Sequence, residues 1–239
     1  PDIAPDLNYV VDLMARGLLF ADIINTVSET YAQEILTPEF GQRLDPVLRD
    51  RRDRLFGILN GIDTELYDPA TDPNIAVHFD ATNIEARAAN KAALQAEAKL
   101  AQHPEMPIVS IVGRLIDQKG FDLINAIADP LLRHNGCQLV VMGTGEMRYH
   151  EMLNALAARY PERVAVFLTF TRPLEQRIYA GSDIYVAAAR VGPNGAGHLL
   201  AMHYGAVPVV HATGGLADAV RDYDADQEAG NGFRFEAYD

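Results

Sequence analysis

The chain has no tryptophan and one cysteine, and both shortages narrow its class. A single thiol cannot close an internal disulfide, so the fold has to rest on a buried core. Cys137 stands beside the apolar run Gln138 to Met142 and reads as a small buried hydrophobe, not a nucleophile or ligand. Such cysteine usage fits a reducing cytoplasm, the expected location. No apolar run approaches the roughly 18 to 20 residues needed to span a bilayer, and Pro1 to Asp6 are acidic and proline-rich, so neither a membrane span nor a signal peptide is expected. Basic residues are scarce: 20 Lys and Arg against 33 Asp and Glu leave a formal charge of −13, which argues against a protein whose business is gripping nucleic acid. Without tryptophan and with few aromatic clusters there is no stacking platform for single strands. Clustered Cys, Asp or Glu at ligand spacing is also missing, so no metal site is expected. Neither a repeat of solenoid period nor a low-complexity tract occurs.

What is present is a regular α/β pattern. The 239 residues suffice for one large or two small domains. Beyond the polar stretch Lys99 to Met106 come five short apolar runs rich in Val and Ile: Pro107 to Val112, Gln138 to Met142, Arg163 to Leu168, Asp183 to Ala187 and Val207 to Val210. Their length and flanking residues predict buried parallel strands. Between them, Phe121, Leu123, Ile124, Ile127 and Leu131, then Tyr149, Met152, Leu153, Leu156 and Tyr160, recur with helical period. Alternation of this kind predicts a Rossmann-like, doubly wound parallel sheet.

The first hundred residues are less regular. They predict a helix over Val10 to Leu18, a strand over Ile23 to Val27, a helix from Ser28 to Leu36 with Ser28 as N-cap, a strand over Leu55 to Leu59 and an alanine-rich helix over Ala86 to Leu100. That inventory is too small to enclose a core of its own. The expected division is 1–104, the tail of another domain with its connector, and 105–239, the doubly wound domain.

Ligands of a doubly wound sheet bind outside the carboxyl ends of the strands. Gly113-Arg114, Gly143-Thr144-Gly145, Phe170, Gly192-Pro193-Asn194-Gly195 and Thr213-Gly214-Gly215 all fall there. A helix start offers unpaired N–H groups and a partial positive charge, and glycine lets a phosphate approach them. The order strand, glycines, helix at Gly195 and again at Thr213-Gly214-Gly215 suits a diphosphate; at the latter a simple helix cap is the plainer alternative. Gly143-Thr144-Gly145 lacks the third glycine of a dinucleotide fingerprint, Arg148 standing in its place, so a nucleoside-sugar contact fits Gly143 and Thr144 better than hydride transfer.

Five segments carry a resemblance: Ala21 to Ser28 (ADIINTVS), Gly57 to Asp63 (GILNGID), Arg114 to Gly120 (RLIDQKG), Ile178 to Asp183 (IYAGSD) and Thr213 to Asp218 (TGGLAD). Together, in consistent order over nearly the whole chain, they resemble the bacterial glycogen synthase and starch synthase family, retaining glucosyltransferases of the two-domain GT-B fold. The resemblance implies the end of an N-terminal domain followed by most of the donor-binding domain, with the acceptor half missing as a possible further partner. On that footing 1–104 would be the remnant of an acceptor-side domain and 105–239 a nucleotide-sugar-binding domain. It implies transfer of glucose from ADP-glucose to an α-1,4-glucan, with no cofactor. Arg114 and Lys119 would hold the donor diphosphate, fixed cations doing what a metal does elsewhere; the plainer alternative is a solvated charged loop. Phe170 would stack on the adenine or be a core aromatic. Tyr179 is a similar candidate, with packing the stronger alternative. Asn60 would reach the interdomain cleft or simply form a turn. His198 and His203, five apart, read as solvated or capping histidines.

One departure bears on activity. The family carries Glu-Pro-x-Gly-Leu where this chain has Gly192-Pro193-Asn194-Gly195-Ala196, with Gly197 next and Leu200 eight residues after Gly192. Loss of a carboxylate that reaches the donor sugar would forfeit ~2–4 kcal/mol of transition-state stabilisation if it behaves as an oxyanion-type contact. The isolated chain is therefore expected to be weakly active or inactive. A non-catalytic sugar-nucleotide or glucan binding module of the same fold is the alternative, and an enzyme with a UDP-sugar donor a third.

Overall fold

The computed structural model describes residues 12–192 and 195–239. Pro193 and Asn194 of the glycine string, Pro1 to Asp6, and Val10 and Val11 of the first expected helix lie outside the described residues.

The larger layer is a six-stranded, all-parallel sheet. Its strands are β3 (Ile108–Val112), β4 (Gln138–Met142), β5 (Val164–Phe167), β6 (Ile184–Ala187), β7 (Val207–His211) and β8 (Phe233–Phe235), in the order β5-β4-β3-β6-β7-β8. The strand order reverses direction between β3 and β6, and that switch point is where a doubly wound sheet opens a crevice. All five expected strands are present with ends moved by one residue or not at all. β8 was not anticipated: Phe233-Arg234-Phe235 is short and half-polar, and it pairs only at the sheet edge against Val209 to His211.

Helices α5 (Phe121–His134), α6 (Met147–Arg159), α7 (Arg172–Gly181), α8 (Gly197–His203) and α9 (Gly214–Ala219) connect these strands. Of the periodic residues predicted for α5 and α6, Phe121, Ile124, Tyr149, Leu153 and Leu156 are buried with Val109, Ile111, Leu139 and Val141, and Leu123, Leu131, Met152 and Tyr160 pack against them partly buried. Ile127 departs from the pattern and is 48% exposed, the inward place being taken by Ala128 and Leu132. Cys137 lies in the same cluster, 2% exposed, and burial pushes its thiol pKa up, as a structural thiol requires.

Ahead of the sheet come α1 (Leu13–Phe20), β1 (Ile24–Thr26), α2 (Glu29–Glu34), α3 (Asp45–Asp50), β2 (Leu55–Gly57) and α4 (Arg87–Glu97). The N-cap expected at Ser28 is made: its Oγ accepts from the Tyr31 amide at 2.9 Å. β1 and β2 pair in parallel, and Ile24, Ile35 and Leu48 make a small cluster with them. The packing partner changes near residue 60. Ile75 and Phe79 are buried with Tyr179 and Tyr204, and Leu94 and Leu100 with Ile108 and Ile178, so residues well ahead of 104 belong to the core of the larger sheet.

Candidate donor-binding cleft

A cleft of about 380 Å³ opens at the carboxyl ends of β3, β6 and β7. Its floor is apolar, drawn from Ile111, Val112, Val186 and Ala187, because buried parallel strands place branched side chains on both faces. Among its described lining residues the ionisable groups other than tyrosine are Lys119, Glu175 and His198. Each arrives on a different element: a 3₁₀ turn after β3 (Asp117–Lys119), the first turns of α7, and the start of α8.

Lys119 is half-buried, and burial followed by repulsion from Arg114 lowers its pKa. Two cations thus stand close enough to repel each other at the carboxyl end of β3. Arg114 itself is exposed and does not line the cleft wall. Asn60, Phe170, Tyr179, Gly195 and Gly215 do line it. Phe170 is 55% exposed, which makes its ring available as a flat face and excludes the core-aromatic alternative. Tyr179 is 1% exposed; its hydroxyl donates to Glu175 Oε1 at 3.0 Å and its ring meets Tyr185 and Tyr204, so it packs the base of the wall.

Gly143, Thr144, Thr213 and Gly214 are not on the wall. Gly143 instead lets two strand ends meet: a Cβ there would lie 1.9 Å from the Gly113 carbonyl oxygen. The Thr144 carbonyl accepts from the Leu115 amide at 2.9 Å, and the Leu115 carbonyl accepts from Glu146 at 2.8 Å, so this turn straps down the loop that carries Arg114. Thr213 and Gly214 are engaged by a protein carboxylate. Glu34 of α2 accepts from the Thr213 hydroxyl at 2.9 Å and from the Gly214 amide at 3.0 Å, while the Gly215 amide donates to the Gly192 carbonyl at 3.0 Å. Thr213 does not cap α9 with its side chain. The amides expected to meet phosphate are therefore satisfied within the chain.

Gly192 is built into this arrangement. A Cβ at 192 would lie 2.8 Å from the Thr213 carbonyl oxygen, and one at Gly214 would lie 2.3 Å from the Gly192 carbonyl oxygen. Two glycine loops pack backbone to backbone, closer than any side chain allows.

Three residues were missed or misread in the sequence. Glu175 is 7% exposed; burial raises its pKa, while hydrogen bonds from Tyr179 and from Tyr67 at 3.4 Å pull it down. Its spacing four before Tyr179 on a helix was the available signal. His198 is not solvated: it is 4% exposed, and burial drags its pKa to about 4, opposed by a hydrogen bond that the ring donates to the Gly195 backbone and helped to a lesser degree by Lys119. Glu34 could not have been found, since nothing local ties it to residues 179 positions away.

A model of the family described as Glycosyl transferases group 1 matches residues 94–239, and one described as Starch synthase catalytic domain matches residues 4–50. The glycogen synthase of Kosmotoga olearia is 48% identical over 97% of this chain, covering 48% of that protein. The glycogen synthase of Gloeobacter violaceus is 46% identical, with coverage of 95% and 49%. The catalytic domain of starch synthase IV from Arabidopsis thaliana, solved bound to ADP and acarbose, superposes with a TM-score of 0.88 at 33% identity over 95% of this chain and 47% of that one. The chain thus spans about half the length of the curated relatives it matches. With its Rossmann-like sheet of GT-B type, the chain belongs to the glycosyl transferases of group 1, and within them to the glycogen synthase and starch synthase family.

Proposed function

We propose that the chain is the donor-binding part of a glucosyltransferase that moves glucose from ADP-glucose to an α-1,4-glucan with retention. The observation that carries this reading is the pairing of a half-buried Lys119 with Arg114 beside the cleft of an acidic chain. These cations stabilise the diphosphate as it departs, with no metal or other cofactor required. Phe170 offers its exposed face to the base, and Asn60 reaches the sugar side from the loop after β2. ADP as donor nucleotide is supported by the starch synthase IV complex, and the glucan acceptor by the acarbose in that structure. The expected setting is the cytoplasm.

A second reading, a binding module without turnover, draws on one observation: the position of the family's motif glutamate is Gly192, closed against Thr213. Calorimetric titration with ADP, ADP-glucose and UDP-glucose, followed by incorporation of labelled glucose into glycogen with an acceptor domain supplied, separates the two. Nucleotide binding without incorporation leaves the second reading; absence of nucleotide binding ends both.

A further inference from the structure

His198 is the second residue of α8 and lines the cleft together with Lys119 and Gly195. Its Nε2 is buried and has no hydrogen-bond partner. The other buried polar groups on this wall are engaged: Glu175 accepts from Tyr179 and Tyr67, and the Tyr185 hydroxyl donates to the Val112 carbonyl at 3.2 Å. The large majority of buried polar side-chain atoms in native proteins are paired, and of the four left unpaired among the described residues only that of His198 belongs to a residue lining the cleft, which points to a partner that occupies the cavity.

The charges around the ring indicate what that partner is. Lys119 faces it from the 3₁₀ turn and opposes its protonation. From the elements packed against α8 come Glu175, with Arg172 acting on it, and the Tyr179 hydroxyl on α7; Tyr185 on β6; and His211 on β7, whose Nδ1 is taken by the Ala189 carbonyl. Of all these, Lys119 is the one charged group whose field is resolved at the imidazole. An anion seated against Lys119 cancels that field and at the same time offers Nε2 an acceptor. A neutral sugar hydroxyl does only the second.

We propose that His198 is a binding residue for the diphosphate of the nucleotide, its Nε2–H donating to a phosphate oxygen, and that the ring takes up a proton from solvent as the ligand enters. The proposal rests on the nucleotide reading of the cleft. It gives that site a third basic group beyond Arg114 and Lys119, charged only when the ligand is there.

The test is titration of the protein with ADP at one pH near neutrality in two buffers of different ionisation enthalpy. The difference in observed heat counts the protons exchanged. We expect uptake approaching one proton in the wild type, lost in His198→Gln, with ADP affinity lowered on the order of 10-fold by the variant. Long-range 1H–15N spectra of the wild-type imidazole give a readout independent of any variant: neutral in the free protein, protonated with ADP bound. If His198→Gln binds ADP with wild-type affinity and proton count, or if the ring stays neutral in the complex, the proposal falls while the nucleotide reading stands. If ADP does not bind the wild type at all, both fall.

Discussion

Glu34 and Gly214, 180 positions apart in sequence, are joined by a hydrogen bond of 3.0 Å in which the amide that opens α9 donates to a carboxylate. The same Oε1 accepts from Thr213, and Oε2 is buried without a partner. A carboxylate in this place takes the role that a phosphate has at other helix starts. Replacing it by Glu34→Ala is expected to lower stability by ~1–2 kcal/mol in urea unfolding, since two donors lose their acceptor. ADP affinity should stay within about 2-fold in calorimetry, because neither donor is on the cleft wall. A several-fold change in either direction would show that the Glu34 contact reaches the nucleotide site.

Lys119→Met separates binding from folding. Removing a charge-assisted hydrogen bond should weaken ADP binding by ~1.5–3 kcal/mol. Urea unfolding of the same variant measures what the half-buried ammonium contributes to folding apart from the nucleotide. A fall in melting temperature that matches the loss of affinity would assign Lys119 a packing role.

Phe170 tests the base. Its ring is exposed, so Phe170→Ala should leave the unfolding midpoint unchanged while weakening ADP binding by ~1–3 kcal/mol, the range seen when an aromatic that stacks on a base is removed. Equal affinities before and after would place the adenine elsewhere.

His198 governs an acid limb of stability. Its folded pKa of about 4 lies below the ordinary value of 6.5, so between these the unfolded chain holds more protons. Its contribution is therefore present above pH 6.5 and lost as the pH falls toward 4, amounting to ~3 kcal/mol. Unfolding free energies measured across that window should slope less steeply in His198→Gln than in the wild type.

Gly192→Ala addresses the glycine contact. Its methyl group would press on the Thr213 carbonyl at 2.8 Å, and overpacking of this kind costs ~1–3 kcal/mol. Gly192→Glu should be at least as destabilised, so restoring the family carboxylate needs the loop to lift away from α9 first. A glutamate variant as stable as the wild type would show that the loop already moves freely.

The sequence made the sheet legible because buried parallel strands such as Gln138–Met142 leave an unbroken apolar signature, and α5 and α6 show their inward faces by period. It located Lys119, Phe170, Asn60 and Gly195 on the cleft because motif residues at strand ends converge once the topology is known. It could not weigh pairs distant in the chain. Glu34 on Thr213, and Asp72 accepting from the Tyr204 hydroxyl at 2.6 Å, join segments with no local pattern linking them. His198 was misread for a related reason: its burial comes from the cleft wall around α8, not from its neighbours in sequence.

The contact between α2 and α9 has a thermodynamic consequence. The two are tied by polar groups: the Ser28 hydroxyl and the Thr30 amide and hydroxyl donate to Asp218, and Thr213 and Gly214 donate to Glu34. Burial pushes the Asp218 carboxyl up, but the bonds from Ser28 and Thr30 outweigh it and hold its pKa below the usual range. The apolar clusters beside this seam, one around Ile24 and one around Val210, remain separate. Parting such a seam uncovers little hydrocarbon, so the motion carries a small heat-capacity change and a free energy that varies little with temperature. Opening and closing of the N-terminal elements over α9 would then respond to ionic strength and to acid well before it responded to warming.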